Sequence, residues 1–236
     1  GLRMNAGTAS ATNAEALETT VATLSAEAGN GGIYLLETDG VTVSNVMATV
    51  QRVGTDAGVT ATMDAAQSDL TTLGGDGDVI LESTDGAIVL DDGSDADENA
   101  VVANGSGNVL IRALGTADAT MGTVTANADV RSTSGNLTIL ASQSVSLTAN
   151  VDLVTGLTGT IDVEGTAGAV TMNDAATAQA GTGDVRLVAG TDATIGSLQT
   201  MGNVSIIAGG SIVDGGETNV DVVAAGLRMN AGTAIA

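Results

Sequence analysis

Two short strings decide how this chain reads: Gly135-Asn136-Leu137-Thr138-Ile139 and, shortly after, Ser144-Val145-Ser146-Leu147. In each, aliphatic residues alternate with hydroxyls, the period-2 pattern of a strand with one buried face. The Gly-Asn pair supplies turn conformations with positive φ just before the strand opens. The same start stands at Gly77-Asp78-Val79, Gly107-Asn108-Val109, Gly183-Asp184-Val185 and Gly202-Asn203-Val204, with looser versions at Gly32-Ile33, Gly58-Val59, Thr160-Ile161 and Asn219-Val220. Neighbouring starts lie roughly 16 to 30 residues apart, a solenoid-like interval.

Register is consistent from one start to the next. The first and third strand positions read Ile33/Leu35, Val79/Leu81, Val109/Ile111, Leu137/Ile139, Ile161/Val163, Val185/Leu187, Val204/Ile206 and Val220/Val222, all aliphatic. The residue between them is mostly polar, as at Thr138, Asp162, Arg186, Ser205 and Asp221. A shorter strand often follows, for example Ala87-Ile88-Val89-Leu90 or Ala169-Val170-Thr171-Met172. Recurrence of this pattern at every coil predicts strands stacked in parallel about 4.8 Å apart. The expected fold is all-β, a right-handed parallel β-helix (β-solenoid) of about ten coils and roughly 5 nm per repeat. Strict hexapeptide repeats, which would favour a left-handed triangular helix, are missing.

Two features leave alternatives open. Within residues 13–29, Leu17, Val21, Leu24 and Ala28 fall at helical spacing, with Asn13 as N-cap and Gly29 past the end. The cluster Thr19-Thr20-Val21 favours a strand instead. The fourth strand position reads Leu36, Glu82, Arg112, Leu140, Glu164, Val188, Ile207 and Val223, mostly apolar where alternation asks for polar residues. Either these form an outward stripe able to bind a neighbour, or the chain bends inward there and buries them. The bend is the expectation. A longer repeat overlies the short one: residues 1–9, Gly-Leu-Arg-Met-Asn-Ala-Gly-Thr-Ala, recur letter for letter at 226–234. The implied organisation is one tandem β-solenoid unit over 1–225, with 226–236 beginning the next.

Composition bounds the chemistry. The 236 residues include 33 Gly but no Phe, Trp, Pro, His or Cys, and Tyr34 is the one aromatic ring. Against 28 acidic residues stand six arginines and no lysine, a net charge of −22. Disulfides, thiolate nucleophiles, imidazole bases and zinc sites of the usual kind are thereby excluded. A cationic, ring-bearing surface for nucleic acid is missing too. No apolar run reaches the 18 or so residues of a membrane span. Disorder is also disfavoured, because mean hydropathy is +0.30 and 43% of residues are hydrophobic. A core without aromatic rings must be built from small aliphatic side chains in narrow layers.

The segments at 16–24 (Ala-Leu-Glu-Thr-Thr-Val-Ala-Thr-Leu), 32–40, 202–215 and 222–232 resemble the repeats of giant bacterial surface proteins, the filamentous-haemagglutinin-like adhesins or β-strand-repeat proteins. The resemblance covers essentially the whole chain. It implies a right-handed parallel β-helix, secretion, and a role at the bacterial cell surface in adhesion or fibre formation. It carries over no catalytic residues.

Candidate sites are few. The densest charge cluster holds Asp91, Asp92, Asp95, Asp97 and Glu98, five carboxylates that could gather oxygens around calcium, against the plainer reading of a solvated loop at a coil corner. Residues 74–82 approach the calcium-binding glycine-rich nonapeptide, but Val79 stands where the ligand Asp belongs. Asp162 and Glu164 share an outward face and could serve as acid and base, although such pairs are expected in so acidic a chain. Thr60/Thr62 and Thr123/Thr125 form Thr-x-Thr pairs of the ice-binding kind, without recurring at one position of successive coils. The expectation is a non-enzymatic unit of an extracellular filament or giant adhesin. Its partner is itself, through end-to-end continuation and lateral bundling. The rival is an adhesin module that meets a glycan or another cell surface through the acidic loop or the long coil at 47–73.

Overall fold

The computed structural model describes residues 1–7, 15–118, 121–216 and 218–236. It is a parallel β-helix, all strand and turn among the described residues. Each coil visits three faces. Among the described residues the first stacks nine strands: Leu17–Thr19, Ile33–Glu37, Val79–Ser83, Val109–Ala113, Leu137–Ala141, Ile161–Gly165, Val185–Ala189, Asn203–Ala208 and Gly226–Ala231. The second runs from Val41–Val43 through Ile88–Leu90, Val124–Ala126, Val145–Leu147, Val170–Met172 and Ala193–Ile195 to Ile212–Asp214. The third runs from Leu70–Thr72 through Asn99–Ala103, Asp129–Ser132, Asp152–Thr155, Thr177–Gln179 and Ser197–Gln199 to Val222–Val223. Thr23–Ala28 bends across the second and third faces at one end, pairing with Val41–Val43 and Leu70–Thr72.

The register follows the turn chemistry. Val79, Val109, Leu137, Ile161, Val185 and Val204 are directly stacked partners, and so are Leu81, Ile111, Ile139, Val163, Leu187 and Ile206. All twelve are buried. The fifth position is small at Ser83, Ala113, Ala141, Gly165, Ala189 and Ala208, whereas toward the N-terminal end Glu37 fills it, buried, its carboxylate accepting from the Thr19 hydroxyl and the Val21 N–H. Two residues before each first-face start from Ile33 to Val204 stands a glycine, for a steric reason: a Cβ on Gly135 would lie 2.1 Å from the carbonyl oxygen of Gly107, one coil away. Ser132 and Thr155 add hydroxyls that donate to the Gly107 and Gly135 carbonyl oxygens at 2.7 and 2.5 Å, tying the third face to that glycine column.

Four expectations need correction. The fourth strand position does not bend inward. Burial alternates through all five residues, so Leu36, Leu140 and Val188 stay half-exposed, outward neighbours of Glu82, Arg112 and Glu164. Gly58-Val59 opens no coil: Val46–Val53 and Val59–Gln67 form an antiparallel hairpin that leaves the solenoid. Val220 is exposed, and Val222–Val223 joins the third face rather than the first. Finally, among the described residues eight first-face strands precede the one that begins at Gly226, against about ten expected. The hairpin takes up the missing residues, since Ile33 and Val79 are stacking partners although 46 positions separate them.

The segment at 13–29 is strand in its described part, Leu17–Thr19 and Thr23–Ala28, and Asn13 lies outside the described residues. The two nonapeptide copies are used differently. Leu227–Ala231 extends the first face on Val204–Ala208, whereas Leu2–Ala6 pairs with Leu24–Ala28. Thr8 and Ala9 of the first copy lie outside the described residues.

Candidate functional site

A polar recess sits where the hairpin rejoins the solenoid. Val59–Gln67 returns along the hairpin, Ser68 turns the chain, and Leu70–Thr72 enters the third face. At that turn Asp69 takes a left-handed backbone (φ 64°), and its carbonyl oxygen accepts the Ala26 N–H at 2.8 Å. The residue is held down, with 3% of its surface exposed. Arg3, Glu27, Gln67, Asp69, Asp95 and Asp97 contribute to the walls of a recess of about 530 Å³.

The acidic loop is not one cluster. Asp95 and Asp97 turn toward Asp69, and one carboxylate oxygen from each of the three lies within 4.8 Å of the others. Asp91 points elsewhere, its Oδ1 accepting Asn127 Nδ2 at 2.7 Å in the next coil. Asp92 Oδ1 caps the backbone N–H of Glu98 at 2.9 Å, and these two residues line a second recess with Asn127 and Asn150. Of the five carboxylates considered at 91–98, the structure brings Asp95 and Asp97 together with Asp69, a buried acid outside that stretch, and sets Asp91, Asp92 and Glu98 in other contacts. A lone acid between Ser68 and Leu70 gives no density signal. Its one sequence mark is position, because Asp129-Val130 and Asp152-Leu153 also put an acid before a buried third-face aliphatic.

Those counterparts show what Asp69 lacks. Asp129 is equally buried, yet Arg131 pairs with it and lies 3.6 Å from Asp152, and Asp129 Oδ1 also accepts the Asp152 N–H at 2.7 Å. Asp69 faces Asp95 and Asp97 instead, and its Oδ1 has no hydrogen-bond partner. Burial first, then the charges of Asp95, Asp97 and Asp92, push its carboxyl up to about 8.

The other candidates resolve into structural contacts. Asp162 and Glu164 both face Arg186, whose Nη1 lies 2.7 and 3.1 Å from them. In the 74–82 stretch, Asp76 accepts the Ser106 N–H and Asp78 accepts from Asn108, each across one coil. Thr60 and Thr62 belong to the hairpin, and Thr125 to the second face. Tyr34 stands on the outward side of the first face, its hydroxyl 3.3 Å from Asp78 Oδ2. Comparison with protein-family models, with curated proteins and with solved structures returned no match to this chain.

Proposed function

We propose that this chain is a load-carrying segment of an extracellular bacterial filament or giant surface adhesin, acting by continuation of its coils rather than by chemistry on a substrate. The observation behind this reading is the placement of Gly226–Ala231. The nonapeptide that opens the sequence returns there as a further coil, six residues in register on Asn203–Ala208. Every first-face pairing before it is parallel and in the same register, so backbone hydrogen bonds run along the axis while aliphatic columns fill the centre. Nine stacked strands span eight intervals, about 4 nm. A stack of this kind is extended by whatever presents another matching edge.

The test is electron cryo-microscopy of the native material. A rise near 4.8 Å per coil, continuous over many units, is the expected outcome. Globules or beads on flexible tethers would overturn the filament reading. A second reading, a module that grips a glycan or a partner surface, draws on the hairpin. It projects from the second coil with Met47, Val50, Val53, Val59 and Met63 all at least 57% exposed. Deleting the tip of the hairpin should leave fibre geometry unchanged on the first reading and abolish surface attachment on the second.

A further inference from the structure

We propose that Asp69, Asp95 and Asp97 bind one calcium ion, which fastens the acidic loop to the foot of the hairpin. Three carboxylate oxygens within 4.8 Å of one another match the spacing of ligands around a single cation, since Ca–O distances run about 2.3–2.6 Å. Crowded acids alone would mean little on so acidic a chain. The independent observation is the orphaned oxygen: Asp69 is almost fully buried, its Oδ1 accepts no hydrogen bond, and it lines the recess. Gln67 repeats the pattern beside it. This residue lines the recess too; its Nε2 donates to the Met4 carbonyl oxygen at 2.6 Å, while its buried Oε1 finds no donor.

A buried acceptor without a donor is costly, and a cation is what relieves several at once. Asp129, in the equivalent place at the start of a third-face strand, has that relief from Arg131. Arg3 borders the recess, but among the described residues it makes no ion pair, and its Nε is itself without a partner. Calcium suits the site better than magnesium. The ligands come from the turn at the hairpin root and from an exposed loop, an irregular and adjustable set, whereas magnesium demands a near-ideal octahedron and gives up water reluctantly. The consequence is mechanical. Bound calcium joins the start of the third coil face to the 91–98 loop, and so sets how the hairpin stands on the solenoid.

The experiment is calorimetric titration of the chelator-treated 236-residue chain with calcium and, separately, magnesium, together with thermal unfolding. One calcium per chain and a rise in unfolding temperature are expected, with magnesium at least about tenfold weaker. The exposed pair Asp95→Asn/Asp97→Asn should weaken calcium at least about tenfold, whereas Asp91→Asn/Glu98→Gln, the same change in charge, should leave it unchanged. Asp69→Asn should abolish binding without lowering the stability of the metal-free chain. The proposal is overturned if no calcium binds, or if several weak ions bind regardless of which pair is removed. Magnesium binding as tightly as calcium would overturn the ion assignment. If Arg3 neutralises the carboxylates in solution, Arg3→Gln will lower the unfolding temperature and calcium will shift nothing, which also overturns it. None of these outcomes bears on the filament reading.

Discussion

Asn136 donates both its backbone N–H and its Nδ2 to one oxygen, Asn108 Oδ1, at 3.0 and 2.9 Å. The same two-donor grip recurs on either side. Asn108 holds Asp78 Oδ1 at 2.8 and 3.0 Å, and Thr160 holds Asn136 Oδ1 through its N–H and hydroxyl at 3.1 and 2.9 Å. The residue after the glycine therefore does two things. It permits the turn, and it carries a hydrogen-bond ladder up the outside of the corner. In this ladder a middle rung must both donate and accept, while the first need only accept.

That asymmetry makes the first prediction. Asn108→Asp should destabilise the chain by about 1 kcal/mol, because the Nδ2 donor to Asp78 is lost, leaving only the backbone N–H, and a second carboxylate then faces the first. The loss should shrink in high salt. Asp78→Asn keeps an acceptor for Asn108 and should change stability by no more than about 0.5 kcal/mol. Chemical denaturation at two salt concentrations checks both.

Gly135→Ala should cost about 2–3 kcal/mol, since the new methyl meets backbone at Gly107 rather than a yielding side chain. Gly7→Ala, with nothing among the described residues within 4 Å of its Cβ, serves as the silent control. Equal losses at the two sites, measured by thermal unfolding, would refute the steric role assigned to the glycine column.

Adjacent residues of one strand should respond oppositely. Ile139 is 1% exposed and Leu140 points outward. Ile139→Ala should cost about 2–5 kcal/mol through the cavity it leaves. Leu140→Ser should stay within about 0.5 kcal/mol. A large loss at Leu140 would mean that the inward bend, not the outward stripe, is right.

Acid should loosen the corner between the second and third coils. The backbone N–H of Ser106, then its hydroxyl, hold the Asp76 carboxyl below its ordinary value. A carboxyl depressed in the folded state contributes stability above its unfolded value of 3.8, and that contribution is lost as pH falls through the lower folded value. Asp76→Asn should therefore flatten the acid limb of the stability curve below about pH 4 and leave the neutral region little changed. An unaltered acid limb would remove Asp76 from the account.

How far the sequence could be read depends on where neighbours impose the pattern. Val79, Val109, Leu137 and Val185 announce the first face because the turn before each needs Gly-Asx and the lumen behind each needs an aliphatic residue. The third face is quieter. Thr177–Gln179 and Ser197–Gln199 are three-residue strands with one buried side chain apiece, Ala178 and Leu198, too little for a periodic signal. The hairpin misleads for another reason. Thr60, Thr62 and their neighbours alternate as a solenoid strand does, and only the antiparallel partner at Val50–Arg52 shows that both sides face water. Asp69 could not be found from charge density. Its meaning comes from burial and from two residues of the next coil.

Tyr34 gives the molecule one chromophore of its own. It stands on the second strand of the first face, beside Asp78, the residue just before the third, and burial first, then the Asp78 charge and hydrogen bond, raise its hydroxyl above 10.0. With no tryptophan and no second ring in the chain, every photon of intrinsic fluorescence originates at this one step of the stack. Slippage between the coils on either side of the insertion is therefore legible as a change in a single emission band, without a label, while the remaining coils stay dark.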